Sequence, residues 1–243
     1  MQIAVLSDIH GNLEAFQSVL ADMKQQVPPP AEIISLGDNL GYGPDPEACV
    51  RLVRELGVLS VMGNHELGVT RSKCRNWFNP QSREALQRTC ELVSEEVVEY
   101  IAGFPMSLSR HGALFVHGLP PDSALKYLYE QGTKQVAELF DAFAEPLAFI
   151  GHTHELELVE MKAGRIIRGP LAEGVHYLDR SKRYLINIGA VGQPRDGDRR
   201  AKYVLWDTET WELQVRFVEY DVQTTVRKFK EVGMPFRYAE RLL

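Results

Sequence analysis

Cysteine is scarce in this chain, a basic surplus is missing, and no long apolar run occurs. The three cysteines, Cys49, Cys74 and Cys90, are odd in number and form no Cys-x-x-Cys pair. A disulfide scaffold or a zinc knuckle needs other spacings, so buried or idle thiols in helices or loops are expected. No apolar stretch approaches the roughly 20 residues that cross a bilayer, which argues against a membrane protein. Met1–Leu6 runs directly into Asp8, without a basic region or a cleavage site, so a cytoplasmic protein is expected. The net charge of −6 argues against a duplex nucleic-acid partner, which usually needs a basic stripe. The nearest candidate, Arg195, Asp196, Asp198, Arg199, Arg200 and Lys202, is mixed in sign and reads as a solvated loop. A small phosphate substrate stays open, because bound metals can reverse the local sign of a site. What the chain does have is 243 residues, 44% of them hydrophobic. That is enough to bury one large core, and one domain over 1–243 is expected.

The first half alternates strand-like and helix-like segments. Ile3–Leu6 is an unbroken apolar run, as expected of a strand buried on both faces. Leu13, Phe16, Leu20 and Met23 follow at helical spacing, and Pro28–Pro30 forms a stiff connector. Ile33–Leu36 is a second strand, 46–56 a helix and Val58–Met62 a third strand. A helix is expected over 81–101 and another near 133–143. Leu114–Val116 and Leu147–Ile150 are two further buried strands. In the second half Tyr184–Ile188 and Tyr203–Asp207 are strand-like, and 211–217 alternates with period two. Asp207–Thr210 supplies a hairpin turn. We therefore expect a second, largely antiparallel sheet packed face to face with the first, with helices outside. Residues 221–243 are expected to form a helical extension.

Five apolar strands each run into polar, ligand-type residues. These are Ser7-Asp8-Ile9-His10, Gly37-Asp38-Asn39, Gly63-Asn64-His65-Glu66, His117-Gly118 and Gly151-His152-Thr153-His154. Ligands of open α/β sheets bind at the carboxyl ends of strands, and the adjoining glycines permit sharp turns there. Five of the seven histidines lie in these segments; His111 and His176 do not, and read as turn or surface residues. Singly each motif is common; in combination they point to a metal site.

Taken in order, the five motifs resemble the signature of the calcineurin-like metallophosphoesterases, over about residues 1–220. The resemblance implies a four-layer α-β-β-α double β-sandwich flanked by helices, which agrees with the periodicity. It implies that Asp8, His10 and His154 bind one metal, that Asn64, His117 and His152 bind a second, and that Asp38 bridges both. The short connections, and the segment Asn187–Arg195, resemble compact prokaryotic phosphodiesterase-like members. Four imidazoles, two carboxylates and one amide suit two divalent transition-metal ions such as manganese, iron, cobalt, nickel or zinc; calcium prefers oxygen ligands throughout. Such a pair would hydrolyse a phosphomonoester or phosphodiester with activated water. His65, beside a ligand but not assigned as one, is the expected general acid. Asn39 and Arg195 are candidate substrate contacts, Arg195 reading equally well as an exposed loop cation.

One departure narrows the substrate. The protein-phosphatase branch carries Asp-Arg three and four residues after the motif aspartate, where this chain has Gly41 and Tyr42. A phosphoprotein phosphatase is therefore not expected. A small or nucleotide-type ester is, including a dinucleotide, since Trp77 could stack on a base. Asp45 reads either as an orienting partner of His65 or as a helix N-terminal residue. Residues 66–110, with Arg71, Arg75, Trp77 and Phe78, read either as a lid over the site or as packing. A non-catalytic scaffold and a nuclease of the same fold are the alternatives; the first should have lost ligands, the second should carry a basic groove. A homo-oligomer is compatible with this composition.

Overall fold

Strand β1 (Gln2–Leu6) has no polar face, and the computed structural model, which describes residues Met1–Leu243, shows why. Alternate residues of a strand point to opposite sides. Ile3 and Val5 face a second sheet, in a core shared with Ile34, Phe115, Phe149, Ile186 and Trp206. Ala4 and Leu6 face helices, among Phe16, Val19, Cys49 and Val53. Both sides are dry, so both parities are apolar.

The remaining elements follow in chain order. They are α1 (Leu13–Lys24), β2 (Glu32–Ser35), α2 (Pro46–Glu55), β3 (Leu59–Ser60), α3 (Asn64–Thr70), α4 (Pro80–Leu92), α5 (Glu95–Ala102), β4 (Ser107–Arg110), β5 (Ala113–Val116), α6 (Thr133–Asp141), β6 (Leu147–Ile150), β7 (Leu156–Lys162), β8 (Arg165–Pro170), β9 (Gly174–Tyr177), β10 (Arg183–Ile188), β11 (Ala201–Asp207), β12 (Glu212–Val218), α7 (Val222–Glu231) and α8 (Arg237–Glu240). Two six-stranded sheets form, ordered β3-β2-β1-β11-β12-β9 and β4-β5-β6-β10-β7-β8. The outer face of the second sheet packs on α6, through Val116, Ala148 and Ile150 against Val136 and Phe140. The architecture is thus the four-layer α-β-β-α sandwich. No helix is long and apolar enough to cross a membrane.

Several expectations are corrected. The sheets are not divided between the two halves of the chain. β11 pairs antiparallel with β1, while β2 pairs with it in parallel. β10 pairs in parallel with β6 and antiparallel with β7. Burial explains the first exchange: Val204 and Trp206 share the inter-sheet core with Ile3 and Val5, and Tyr203 and Leu205 share the helix-facing core with Ala4 and Leu6. β11 therefore matches both faces of β1. The third strand is only Leu59–Ser60. The helix over 81–101 is two helices. Ser94 caps α5, its hydroxyl accepting from the Val97 amide, and its own amide donates to Glu47 at 2.8 Å, which breaks the run. β4, β7, β8 and β9 were not anticipated; β8 is half exposed and carries Arg165 and Arg168, so its pattern is weak.

Beyond β12, α7 lies along α1, with Thr225 donating to Asn12 at 3.1 Å and Lys228 bridging Asp45 at 2.9 Å. Phe229, Met234, Tyr238 and Leu242 then close a small core on Tyr42 and Ala85. The chain's last residues are thereby brought back over the strand ends.

Candidate metal centre and its cavity

β1 and β2 belong to one sheet, β5 and β6 to the other, and their carboxyl ends meet at one edge of the sandwich. Asp8 and His10 follow β1, Asp38 follows β2, His117 follows β5, and His152 and His154 follow β6. Asn64 opens α3 beyond β3. Asp8, His10, Asp38, His152 and His154 all sit at positive φ, at 54°, 48°, 53°, 68° and 63°. Such backbone costs about 1–3 kcal/mol per residue and persists only where the surroundings impose it. Here the strain falls on five of the seven residues expected to bind metal.

The donors turn inward in a consistent way. His10, His117 and His154 each place Nδ1 on a main-chain carbonyl, of Leu40 at 3.3 Å, Leu36 at 2.9 Å and Gln193 at 2.6 Å. His152 does the same with Nε2, towards Leu125 O at 3.3 Å. A carbonyl only accepts, so these nitrogens carry the hydrogens and the opposite nitrogens present lone pairs. Those lone pairs face one another: His10 Nε2 and His154 Nε2 at 3.0 Å, His117 Nε2 and His152 Nδ1 at 3.1 Å. Asn64 Oδ1 lies 3.1 Å from His117 Nε2. Asp8 Oδ1, buried and without a hydrogen-bond donor, is 3.2 Å from His154 Nε2 and 3.5 Å from His10 Nε2. Asp38 Oδ2 stands between the groups, 3.4 Å from His117 Nε2 and 3.7 Å from His10 Nε2. Converging lone pairs around an unsatisfied carboxylate oxygen are what a cation would relieve, and the residues fit a metal.

Two groupings therefore emerge, Asp8/His10/His154 and Asp38/His117/His152. A third, His10/Asp38/His65, reuses two of the same side chains. Burial opposes charge throughout. In Asp8 and Asp38 the nearby histidines outweigh it and hold both carboxyls below the usual range. In His117 burial is overcome by the Asp38 carboxylate, which raises the ring to about 9. Burial and then His117 push His152 down to about 3, and burial and then Arg195 push His154 down to about 4. The centre thus keeps Asp8 and Asp38 ionised and His152 and His154 neutral, the states a metal requires, while His117 must give up a proton before its Nε2 can bind one.

Glu66 supplies an anchor that its place in the motif did not reveal. Its carboxylate accepts from the amides of Asp38, Asn39 and Gly63 at 2.9, 2.8 and 3.0 Å, tying the loops after β2 and β3 together. Asn39 is not placed as a substrate contact. It is wholly buried, its amide donating to Ser60 at 2.9 Å and its oxygen accepting from Ser35 at 2.6 Å. Nor does Asp45 orient His65; it bonds Lys228 in front of α2. His65 donates its backbone amide to Asp38 Oδ1 at 2.8 Å, but its Nδ1 has no partner. Its ring is 1% exposed, between Tyr42 at 4.5 Å and Phe78 at 5.0 Å. Burial pushes that ring down to about 3. Gly41, at φ 138°, is what leaves room: a Cβ there would meet His65 Nδ1 at 2.6 Å and His10 Nδ1 at 2.7 Å. His111 stands in a turn and His176 on exposed β9, as expected.

A groove leads away from this cluster. A cavity of about 360 Å³ touches Asn64 and His152 and is walled by Trp77, Phe78 and Tyr127. A larger one of about 660 Å³ shares Tyr42, Asn79, Ser82 and Tyr127 with it and continues to Arg195, Arg199 and Arg241. Tyr127 stacks on His152 with centroids 3.9 Å apart. Of the 66–110 segment, Trp77 is 55% exposed on this wall. Phe78, Leu86, Val97 and Ile101 are core, and Arg75 bonds the carbonyl of Gly68 at 2.9 Å.

Comparison with known proteins agrees with this geometry. The chain belongs to the calcineurin-like phosphoesterase superfamily, whose domain model matches residues 1–211. It is a metallophosphoesterase by family. Its fold matches the crystal structure of a metallophosphoesterase from Sphaerobacter thermophilus with a TM-score of 0.85 and 35% identity, covering 100% of this chain and 98% of that one. The uncharacterized protein MJ0912 of Methanocaldococcus jannaschii is 36% identical over 245 residues, 99% of this chain and 96% of the relative. A symmetrical bis(5'-nucleosyl)-tetraphosphatase of Janthinobacterium sp. (strain Marseille) is 31% identical over 122 residues, 47% of this chain and 44% of that protein.

Proposed function

We propose that this chain hydrolyses a small phosphate ester, of nucleotide or dinucleotide type, at a centre of two divalent transition-metal ions. The observation that carries the reading is the convergence of four inward-facing imidazole nitrogens on Asp8 and Asp38. Asp8, His10 and His154 would hold one ion, Asn64, His117 and His152 the other, and Asp38, lying between the two groups, would contact both. Such ions, when bound, lower the pKa of water and neutralise phosphoryl charge. The protein's own part is to fix the donors, to exclude water by burial, and to move a proton. His65 is the group we assign to protonate the leaving oxygen. Its low pKa keeps it neutral in the free protein, and an arriving phosphate anion would favour its charged form. Residues 66–110 wall the smaller cavity through Trp77, and Arg195 supplies positive charge in the larger one.

The related bis(5'-nucleosyl)-tetraphosphatase supports a nucleotide ester. No donor of the expected set is missing, which disfavours a non-catalytic scaffold. The test is reconstitution with Mn²⁺, elemental analysis, and a screen of phosphomonoesters, bis-phosphodiesters, cyclic nucleotides and dinucleoside polyphosphates. Two ions per chain and metal-dependent turnover are expected. No bound metal at saturation, with no turnover, would sink the reading.

A further inference from the structure

Two arginines from distant parts of the chain meet in the groove. Arg195 follows β10, and Arg241 follows α8. Arg195 Nη2 and Arg241 Nη1 both donate to one atom, Gln193 Oε1, each at 3.2 Å. The two guanidiniums also end a stack of rings. Arg195 lies 6.0 Å from the Tyr42 centroid, Tyr42 stacks on Tyr238 at 4.5 Å and 19°, and Arg241 lies 5.2 Å from Tyr238. Gln193 is buried, and its carbonyl accepts the Nδ1 hydrogen of His154 at 2.6 Å. One residue therefore holds a candidate metal ligand with its main chain and two cations with its side chain.

The pair lacks a counter-charge. Neither arginine forms an ion pair, and the one carboxylate on that wall, Asp198, is committed to Arg200 at 2.7 Å. Guanidinium stays protonated and offers five donors in a planar fork suited to phosphate. Each spends one on Gln193. Two like charges held on a shared acceptor repel, and an anion between them removes that repulsion while accepting the remaining donors.

We propose that Arg195 and Arg241, held by Gln193, form a subsite for a second, non-scissile phosphate, so that the substrate carries more than one phosphate group. This rests on the phosphoesterase reading above and extends it. The scissile group would lie by Asn64 and His152 in the smaller cavity, and the second phosphate in the larger cavity continuous with it. Gln193 acts here as a positioning residue.

The test uses inorganic phosphate and inorganic tripolyphosphate as probes. In Mn²⁺-loaded protein both are titrated as inhibitors of bis(p-nitrophenyl) phosphate hydrolysis, and tripolyphosphate should be the tighter. Arg241→Ala, at an exposed position, should weaken tripolyphosphate about 10–100-fold, the loss expected for charge-assisted hydrogen bonds, and phosphate far less. Arg195→Ala should act in the same direction. Arg165→Ala, an exposed arginine outside the groove, should change neither. Calorimetry of tripolyphosphate with metal-free protein gives a second readout that does not need turnover. Gln193→Glu, which would give the pair a permanent counter-charge, should lower that affinity at least as much as Arg241→Ala. Equal affinity of the wild type for the two probes, or equal loss of both in Arg241→Ala, would overturn the subsite. Absence of hydrolysis by the wild type would overturn the phosphoesterase reading alone, and calorimetry would still decide the subsite.

Discussion

The candidate metal cluster and the arginine groove beside it are built in opposite ways. In the cluster every side chain is buried, each outward imidazole nitrogen rests on a main-chain carbonyl, and five residues are held at positive φ. In the groove the contributing residues come from several loops and helices, and Arg195, Arg241 and Trp77 are exposed. The contrast separates two demands. Bond-breaking needs donors fixed against competing arrangements, which strand ends and backbone anchors provide. Recognition needs charge and aromatic surface that solvent and substrate can both reach.

Substitutions should break this comparison unevenly. The largest effect is expected from Asp38→Asn. It weakens the one side chain that faces both donor groups, so activity should fall by more than the roughly 10–100-fold typical of an outer hydrogen-bond partner. Elemental analysis should show fewer than two ions per chain. Unchanged stoichiometry would remove Asp38 from the shared position.

His65→Ala should come next. A positioned general acid contributes about 10²–10⁴-fold. The loss should approach that range on alkyl esters and be smaller on activated aryl esters, whose leaving group needs no proton. Metal content should stay near the wild-type level. Equal losses on both esters would favour a role in binding phosphate, and loss of metal would make His65 a ligand or a support.

The cluster should also give the metal-free protein an acid limb. His65, His152 and His154 have folded pKa values of about 3, 3 and 4, below the ordinary 6.5. As pH falls the unfolded chain binds these protons first, so stability should decline from about pH 6.5 towards pH 4. Glu66, pushed up by burial and Asp38 to about 7, opposes as one group against three. His117, raised to about 9, contributes stability that is lost as pH rises from about 6.5 through that value. A thermal melt in chelator should therefore peak near neutral pH. A flat Tm across the acid range would mean that these rings are not held neutral by burial.

The smallest effect should be on the wall. Trp77→Ala removes an exposed side chain, so stability should move by no more than about 0.5 kcal/mol. If the indole stacks on a base, KM for a nucleotide ester should rise by about fivefold or more, with metal content unchanged. An unaltered KM would leave Trp77 as a bystander.

Much of the centre was legible in the residues alone. Short apolar runs that stop at Asp8, Asp38, His117 and His152 identify buried strands and their carboxyl ends, because periodicity and turn chemistry are local properties of the chain. The pairing of those strands was less so. β11 joins β1 because its two buried faces match, a fact that depends on which cores the finished sandwich contains. Asn39, adjacent to Asp38, looked like a substrate contact, but its neighbours Ser35, Ser60 and Glu66 turn it into a buried support. The ordered motifs therefore pointed to the family and to the side chains that the strand ends bring together. Only the tertiary structure decided that Gln193 and Tyr42 would join Arg195 to Arg241. Tyr42 and Arg241 share no period and no motif with the segment that carries Gln193 and Arg195, and they meet because α7 and α8 pack back over the strand ends through Phe229, Tyr238 and Leu242.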